Sequence, residues 1–403
     1  MSLTNSTDGS PGTAPPSSTI PVIILSNDVV PGMEMTVAAP GLRSHGLAQG
    51  LSAAGIEVTQ VVADGPARTK WHRRTPPPVG PGIEIVPGSD LSGYLRLRAP
   101  AVVVAINANQ IDLIPDDPGL RLVLDLFAPR VLEIACRSDQ YPLDEIRTIR
   151  ARNIKAMTQA DAFIINGAKK VPFYLGWLMQ VDRDPRSVEF SVVPMPMPKG
   201  FDDSTPPVAP VGPIQVVTAG YLQGWSRPGP WFGTVADVVA DHGGTFHTLL
   251  AKRQGIDDGT DGIDLAFDHE AVQAHKEMLL PDFQRFLAGM DLAIDLFERT
   301  IEREYAMVTR TVGAIASGLP VIHSPWGEIA TYVREYDAGW LVDPSDGAKV
   351  QATLAEALND REALAEKAAN SRRLWSEVFR PEVATVPLVD HVRRLVAELE
   401  QLV

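Results

Sequence analysis

The chain has 403 residues, enough for two or three domains at about 150 residues each. Its 36 basic and 50 acidic residues leave a formal net charge of −14, which argues against nucleic acid or an anionic membrane surface as the main partner. With 45% hydrophobic residues it can bury a sizeable core, and its single cysteine, Cys136, excludes both a disulfide framework and a multi-cysteine zinc site.

Residues 1–19 are dominated by Ser, Thr, Pro and Gly and read as a disordered tail. The first strand is expected at 20–25, ending in Ser26-Asn27-Asp28. A Gly/Pro loop leads to a helix over 42–54 with Gly55 as its cap, and a second strand follows at 56–62. That spacing is a parallel βαβ unit. The stretch 76–90 reads as an irregular surface excursion. Further strands are expected at 101–106, 121–126 and 162–165, with a helix over 142–158. Between 194 and 213 stand Pro194, Pro196, Pro198, Pro206, Pro207, Pro210 and Pro213. Proline lacks a ladder donor, so this is an expected linker between a first lobe at 20–193 and a second at 214–380.

The alternation restarts after the linker. Strands are expected at 214–219, 246–250, 292–296, 320–323 and 339–342, with helices at 234–241, 282–289, 310–317 and 328–336 and an acidic loop at 255–264. The remainder is helical, its last segment, 381–403, expected to pack back on the first lobe. The fold class is therefore α/β, two Rossmann-like doubly wound lobes facing a central cleft. No apolar run approaches the ~18–20 residues that span a bilayer, and the N-terminal stretch lacks the pattern of a secretory signal. A cytoplasmic location is expected, with peripheral contact at the inner face of the membrane left open.

Several chemistries drop out. His242, His247, His269 and His275 lack zinc-like spacing, and Asp257-Asp258…Asp261…Asp264 lacks the closing Glu of a calcium loop. There is no Gly-x-Gly-x-x-Gly after a strand, no P-loop and no Gly-x-Ser-x-Gly elbow.

The informative segment is 291–344. It contains Ala314-Ile315-Ala316-Ser317-Gly318-Leu319-Pro320-Val321-Ile322, then Gly327-Glu328, then Gly339-Trp340-Leu341-Val342-Asp343-Pro344. This order resembles the donor-lobe signature of two-lobed (GT-B) glycosyltransferases, family-4-like, of the polysaccharide-cluster branch. That signature reads Glu-x7-Glu, Ala-Met-Ala-x-Gly-x-Pro-Val-Ile, a Gly-containing loop before a Glu, and Gly-x-Leu-Val-x-Pro. Upstream, Ala39-Pro40-Gly41-Leu42-Arg43 and Gly55-Ile56-Glu57-Val58-Thr59 resemble the acceptor-lobe opening. The likeness runs in order over most of 20–380.

It implies transfer of a sugar from a nucleotide-diphosphate sugar, with retention, to a glycan, lipid-linked or small-molecule acceptor. No cofactor, metal or nucleic acid is implied. One departure is sharp: Gly313 stands where the second Glu of Glu-x7-Glu holds the ribose, and Tyr305 where the first is expected. Glu302 and Glu304 are the candidates to replace them, and with Arg43 they form the expected catalytic set. Donor binding is assigned to Thr309, Arg310, Gly313, His323, Gly327, Glu328 and Arg227, and the acceptor-lobe loop to Pro40, Gly41 and His45. Each carries a plainer alternative: a helix-capping or solvated arginine for Arg310 and Arg43, a packed imidazole for His45, a turn-closing one for His323, a helix-dipole charge for Glu328. The absent carboxylate also motivates a second reading, a non-catalytic scaffold or partner subunit; a sugar-nucleotide epimerase of the same fold is a third.

Overall fold

The computed structural model describes residues 20–63, 76–137, 141–221, 231–251 and 268–402. The expected tail at 1–19, Arg227 and the acidic loop at 255–264 lie outside the described residues.

Largely apolar runs at 22–26 and 101–106 become strands buried on both faces, as the centre of a parallel sheet requires, and shorter or more mixed runs flank them. In the first lobe these are β1 (Val22–Ser26), β2 (Val58–Ala63), β3 (Ile83–Val86), β4 (Ala101–Ile106), β5 (Leu120–Asp125), β6 (Ala162–Ile165) and β7 (Phe190–Val192). All pair parallel in the order β3-β2-β1-β4-β5-β6-β7. The helices are α1 (Ala39–Ala53), α2 (Leu91–Leu97), α3 (Arg130–Ala135), α4 (Leu143–Gln159) and α5 (Val171–Met179). Pro40 starts α1, where a missing N–H costs nothing, and Gly55 closes it at φ +78°.

The second lobe runs β8 (Gln215–Tyr221), α6 (Trp231–Asp241), β9 (Thr245–Ala251), β10 (Val272–Ala274), α7 (Leu280–Ala288) and β11 (Leu292–Asp295). Then come α8 (Ile301–Tyr305), α9 (Thr309–Ala316), β12 (Val321–His323), α10 (Glu328–Tyr336) and β13 (Gly339–Leu341). Its sheet is also parallel, in the order β10-β9-β8-β11-β12-β13. The chain finishes with α11 (Gly347–Asn359), α12 (Arg361–Leu374), a π-turn at Trp375–Phe379, α13 (Pro381–Ala384) and α14 (Val386–Glu400).

Two features correct the sequence reading. The stretch 76–90 holds a strand, β3, paired with β2. The Pro-rich segment begins as core: Met195 and Met197 are 0% and 3% exposed. Met197 donates its N–H to the Phe379 carbonyl at 2.9 Å and accepts the Trp375 indole N–H at 2.8 Å. Those bonds tie the passage between lobes to the point where the chain returns. α14 then packs on α1, β4, β5 and β7 of the first lobe, burying Leu388, Val392, Leu395 and Leu399.

Strand order reverses between β1 and β4 in one sheet and between β8 and β11 in the other. Crevices open outside the carboxyl ends of strands at such points. Here the two crevices meet.

Candidate functional site

A cavity of about 380 Å³ lies where the two crevices meet, lined from both lobes. The first lobe contributes the residues just past β1, β4, β5 and β6, among them Asn27, Asn107, Phe127 and Lys170. The second contributes Gly220 near the end of β8, α8, and the start of α9.

Arg43 does not line the cavity, which corrects the position expected of it. Its side chain is wholly buried. Nε and Nη2 donate to the two Asp125 carboxylate oxygens at 2.9 and 3.0 Å, and Nη1 donates to the carbonyls of Val193 and Pro194 at 2.8 and 2.7 Å. With those donors committed to protein oxygens, Arg43 joins α1 to β5 and to the chain leaving β7. Its helix neighbours divide. Pro40 lines the cavity, whereas His45 does not. Burial lowers the His45 pKa, so its imidazole is neutral at physiological pH. Gly41 is required by packing, since a Cβ there would lie 1.8 Å from the Val29 carbonyl oxygen.

The two acidic candidates on α8 face different ways. Glu302 lines the cavity and is 1% exposed, ion-paired with the Arg303 Nε at 2.5 Å. Burial pushes its carboxyl above the usual carboxylate range, against the pull of Arg303 and Lys170. Glu304 instead pairs with Arg299 toward solvent and does not reach the cavity, which corrects that expectation. Opposite Glu302, across the lobes, Lys170 donates to the Phe127 carbonyl at 2.6 Å and to Asn166 Oδ1. Burial lowers its ammonium to about 8, with Glu302 and Asp125 holding it up. Arg130 and Glu133 on α3, themselves paired, complete this polar cluster.

The second constellation sits at the start of α9. Arg310 lines the cavity and its Nε pairs with Asp295 Oδ1 at 2.7 Å, at the end of β11. The other Asp295 oxygen accepts the Thr311 hydroxyl at 2.5 Å. The Arg310 side chain lies across Gly220, where a Cβ would come within 2.8 Å of its Cδ. A glycine at the end of β8 thus makes room for an arginine supplied by a different element. Thr309 and Gly313 line the same wall, and an ideal Cβ at Gly313 meets no atom within 4 Å. Space therefore remains at Gly313, the position to which the sequence resemblance assigned a carboxylate.

Three other donor-binding expectations are corrected by position. His323 is fully buried, its Nδ1 at 2.6 Å from the Ser324 carbonyl oxygen and its ring edge-on to Phe297. Burial lowers its pKa to about 4, and it lies off the cavity wall. Gly327 supplies the backbone turn before α10 at φ +83°, where a Cβ would press on the Arg303 and Ala306 carbonyls at 3.0 and 3.1 Å. Glu328 accepts the backbone N–H groups of Ala168 and Lys169, each at 3.0 Å, so its carboxylate joins the lobes.

Lys170, Asn166, Asn107 and Arg303 were not singled out from the sequence. The one available signal was position, because each strand expected at 101–106 or 162–165 should end at the crevice. Among the described residues no helix is long and apolar enough to cross a membrane, and no group of three or more His, Cys, Asp or Glu is placed to hold a metal ion.

No protein-family model matches the chain, and no curated protein matches it by sequence. Solved structures do. The chain is similar to a sucrose-phosphate synthase from Thermosynechococcus elongatus at 16% identity and a TM-score of 0.63, covering 94% of this chain and 100% of that one. WaaG, a glycosyltransferase involved in lipopolysaccharide biosynthesis, matches at 13% and 0.57, covering 92% and 99%. HepE from Anabaena, solved with UDP and glucose, matches at 14% and 0.58, covering 93% and 99%. These likenesses show the fold: two Rossmann-like lobes of GT-B type.

Proposed function

We propose that the protein is a glycosyltransferase that moves a sugar from a nucleotide-diphosphate sugar to an acceptor held by the first lobe. The observation that carries the reading is Arg310, fixed by Asp295 and laid across Gly220 at the switch point of the second sheet. That is where a diphosphate would lie against the first amides of α9, and a leaving diphosphate needs positive charge and unpaired donors. Leu249, Met278 and Phe283 line the same half of the cavity and offer apolar surface to a nucleobase. Glu302 takes the part of the absent carboxylate at Gly313, accepting hydrogen bonds from sugar hydroxyls. HepE, similar in fold, was solved with UDP and with UDP-glucose, which supports a hexosyl donor of this kind. The transfer is metal-independent and retaining in this reading, in polysaccharide assembly in the cytoplasm. As the anomeric C–O bond to the diphosphate breaks, the acceptor oxygen bonds to the anomeric carbon. The acceptor proton leaves on a phosphate oxygen, and closed lobes keep water from competing.

Thermal unfolding with UDP, GDP, dTDP, ADP and CMP in parallel tests the donor site. A nucleotide at 100 times its Kd adds about 2.7 kcal/mol and raises the midpoint by a few degrees. Arg310→Ala should lower turnover at least ten-fold, about 1.4 kcal/mol of transition-state stabilisation. Gly313 favours the alternative, a GT-B scaffold without donor chemistry. No shift with any nucleotide would decide for it.

A further inference from the structure

We propose that Asp295 is a positioning residue: it aims Arg310 into the cavity, so that the phosphate-dependent part of nucleotide affinity is set by a carboxylate that never touches the nucleotide. The inference rests on the donor reading above and names the residue that makes its arginine effective.

Asp295 ends β11, an interior strand of the second sheet, and does not line the cavity, whereas Arg310 does. The carboxylate can therefore act on a ligand only through the guanidinium. Its Oδ1 faces Arg310 Nε at 2.7 Å and its Oδ2 accepts the Thr311 hydroxyl, so both oxygens are committed to the first turn of α9. Because a guanidinium is planar, an ion pair at Nε sets the direction in which both Nη groups point. The arm is confined from the other side by Gly220. A Cβ there would lie 2.8 Å from Arg310 Cδ and 3.4 Å from its Cβ, so the arginine runs close over the backbone of β8.

Stability does not account for the pair. The floor beneath it is apolar: Val217, Ala219, Leu287 and Val321 line a small void together with Asp295 and Arg310. In such surroundings the cost of drying two charges offsets much of their attraction, and well-packed apolar side chains would hold the lobe as well. Neighbouring charges do not account for it either. Arg303 is paired with Glu302, and His323, the register partner of Asp295 on β12, is kept neutral by burial. Asp295 thus answers Arg310, and what the pair supplies is direction. A fixed guanidinium meets phosphate oxygens without first losing the freedom of a long side chain, which is how preorganisation raises affinity.

The test compares the Kd of UDP with that of uridine by calorimetry, or the same pair with whichever base stabilises the protein. Asp295→Asn keeps the volume and one acceptor oxygen but removes the charge. It should weaken UDP at least ten-fold and leave uridine unchanged, a split that a loosened lobe would not produce. Asp295→Asn combined with Arg310→Gln should bind UDP no more weakly than R310Q alone, because the two residues act as a unit. Arg310→Lys keeps a cation beside Asp295 but has neither Nε nor a plane to fix, and it too should lose at least ten-fold on UDP alone. An unchanged Kd for UDP in D295N, equal weakening of UDP and uridine, or additive effects in the double variant would overturn the positioning role and leave the donor reading standing. Should D295N fail to fold, full UDP affinity in R310K would overturn it as well. No binding of any nucleotide by the unmodified protein would overturn the donor reading, and this inference with it.

Discussion

Removing the Arg43 side chain would strand the Asp125 carboxylate in the core of the first lobe. Both partners are 0% exposed, and four of the five guanidinium N–H groups are spent on Asp125 and two backbone carbonyls. Breaking a buried pair from one side costs about 3–5 kcal/mol, because the surviving charge keeps its desolvation penalty and loses its compensation. Arg43→Met should therefore lower the free energy of unfolding in urea by that amount. An equally stable variant would mean that water or another cation reaches Asp125. The same residue type at 310 differs by location, not chemistry: its side chain is 19% exposed and lines the cavity. Sequence order cannot separate the two arginines. One is committed to the fold, and the other lines the cavity.

α1 shows what element-scale packing asks of the sequence. Its apolar periodicity is weak, yet Gly41, Gly46 and Gly50 are all buried. A Cβ at Gly46 would lie 2.2 Å from the Pro196 carbonyl oxygen, and one at Gly50 2.0 Å from the Thr385 hydroxyl oxygen. The helix thus lies with its backbone against the interlobe passage and the returning C-terminal segment. Gly46→Ala should cost about 1–3 kcal/mol through overpacking. Gly176→Ala, in α5 with no atom within 4 Å of its Cβ, should be neutral or gain up to about 1 kcal/mol of helix propensity. Equal midpoints for the two variants would show that α1 shifts freely. The same contrast explains what was legible beforehand. Central strands such as β1 and β4 are continuous apolar runs because both faces are covered, and these were readable. β3, β7 and β10 are short edge strands with one side partnered and mixed residues, and periodicity is silent there. Of the site, Arg310 and Glu302 were visible through the order of motifs around them. Lys170 was not, since a buried lysine follows no pattern and its significance comes from a residue 132 positions away on the other lobe.

At the scale of the whole molecule, the cavity exists only while the lobes stay together, and Glu328 is one of the groups that keeps them so. Its two oxygens accept the N–H groups of Ala168 and Lys169, which start the short helical turn leading into α5. The Lys169 ammonium returns to the Gly327 carbonyl at 2.6 Å. Gly167 is the close approach that permits this, because a Cβ there would lie 2.7–2.9 Å from the Glu328 side chain. A carboxylate from one lobe therefore satisfies helix-terminal amides of the other, where negative charge is favoured. In the transfer reaction proposed above, substrate entry would require this crossing to part, and its strength would then bear on the balance between closed and open forms. Glu328→Gln replaces one acceptor oxygen with an NH2 group facing an N–H donor. Hydrogen bonds to a charged group contribute about 1.5–3 kcal/mol each, so the variant should favour the open form by roughly that much. Small-angle scattering should then show a larger radius of gyration without nucleotide, and thermal unfolding should begin a few degrees lower. A scattering profile identical to that of the unmodified protein would mean that the lobes are held by their other contacts, such as the core around Met197 and Trp375, and that Glu328 adds no bias to their closure.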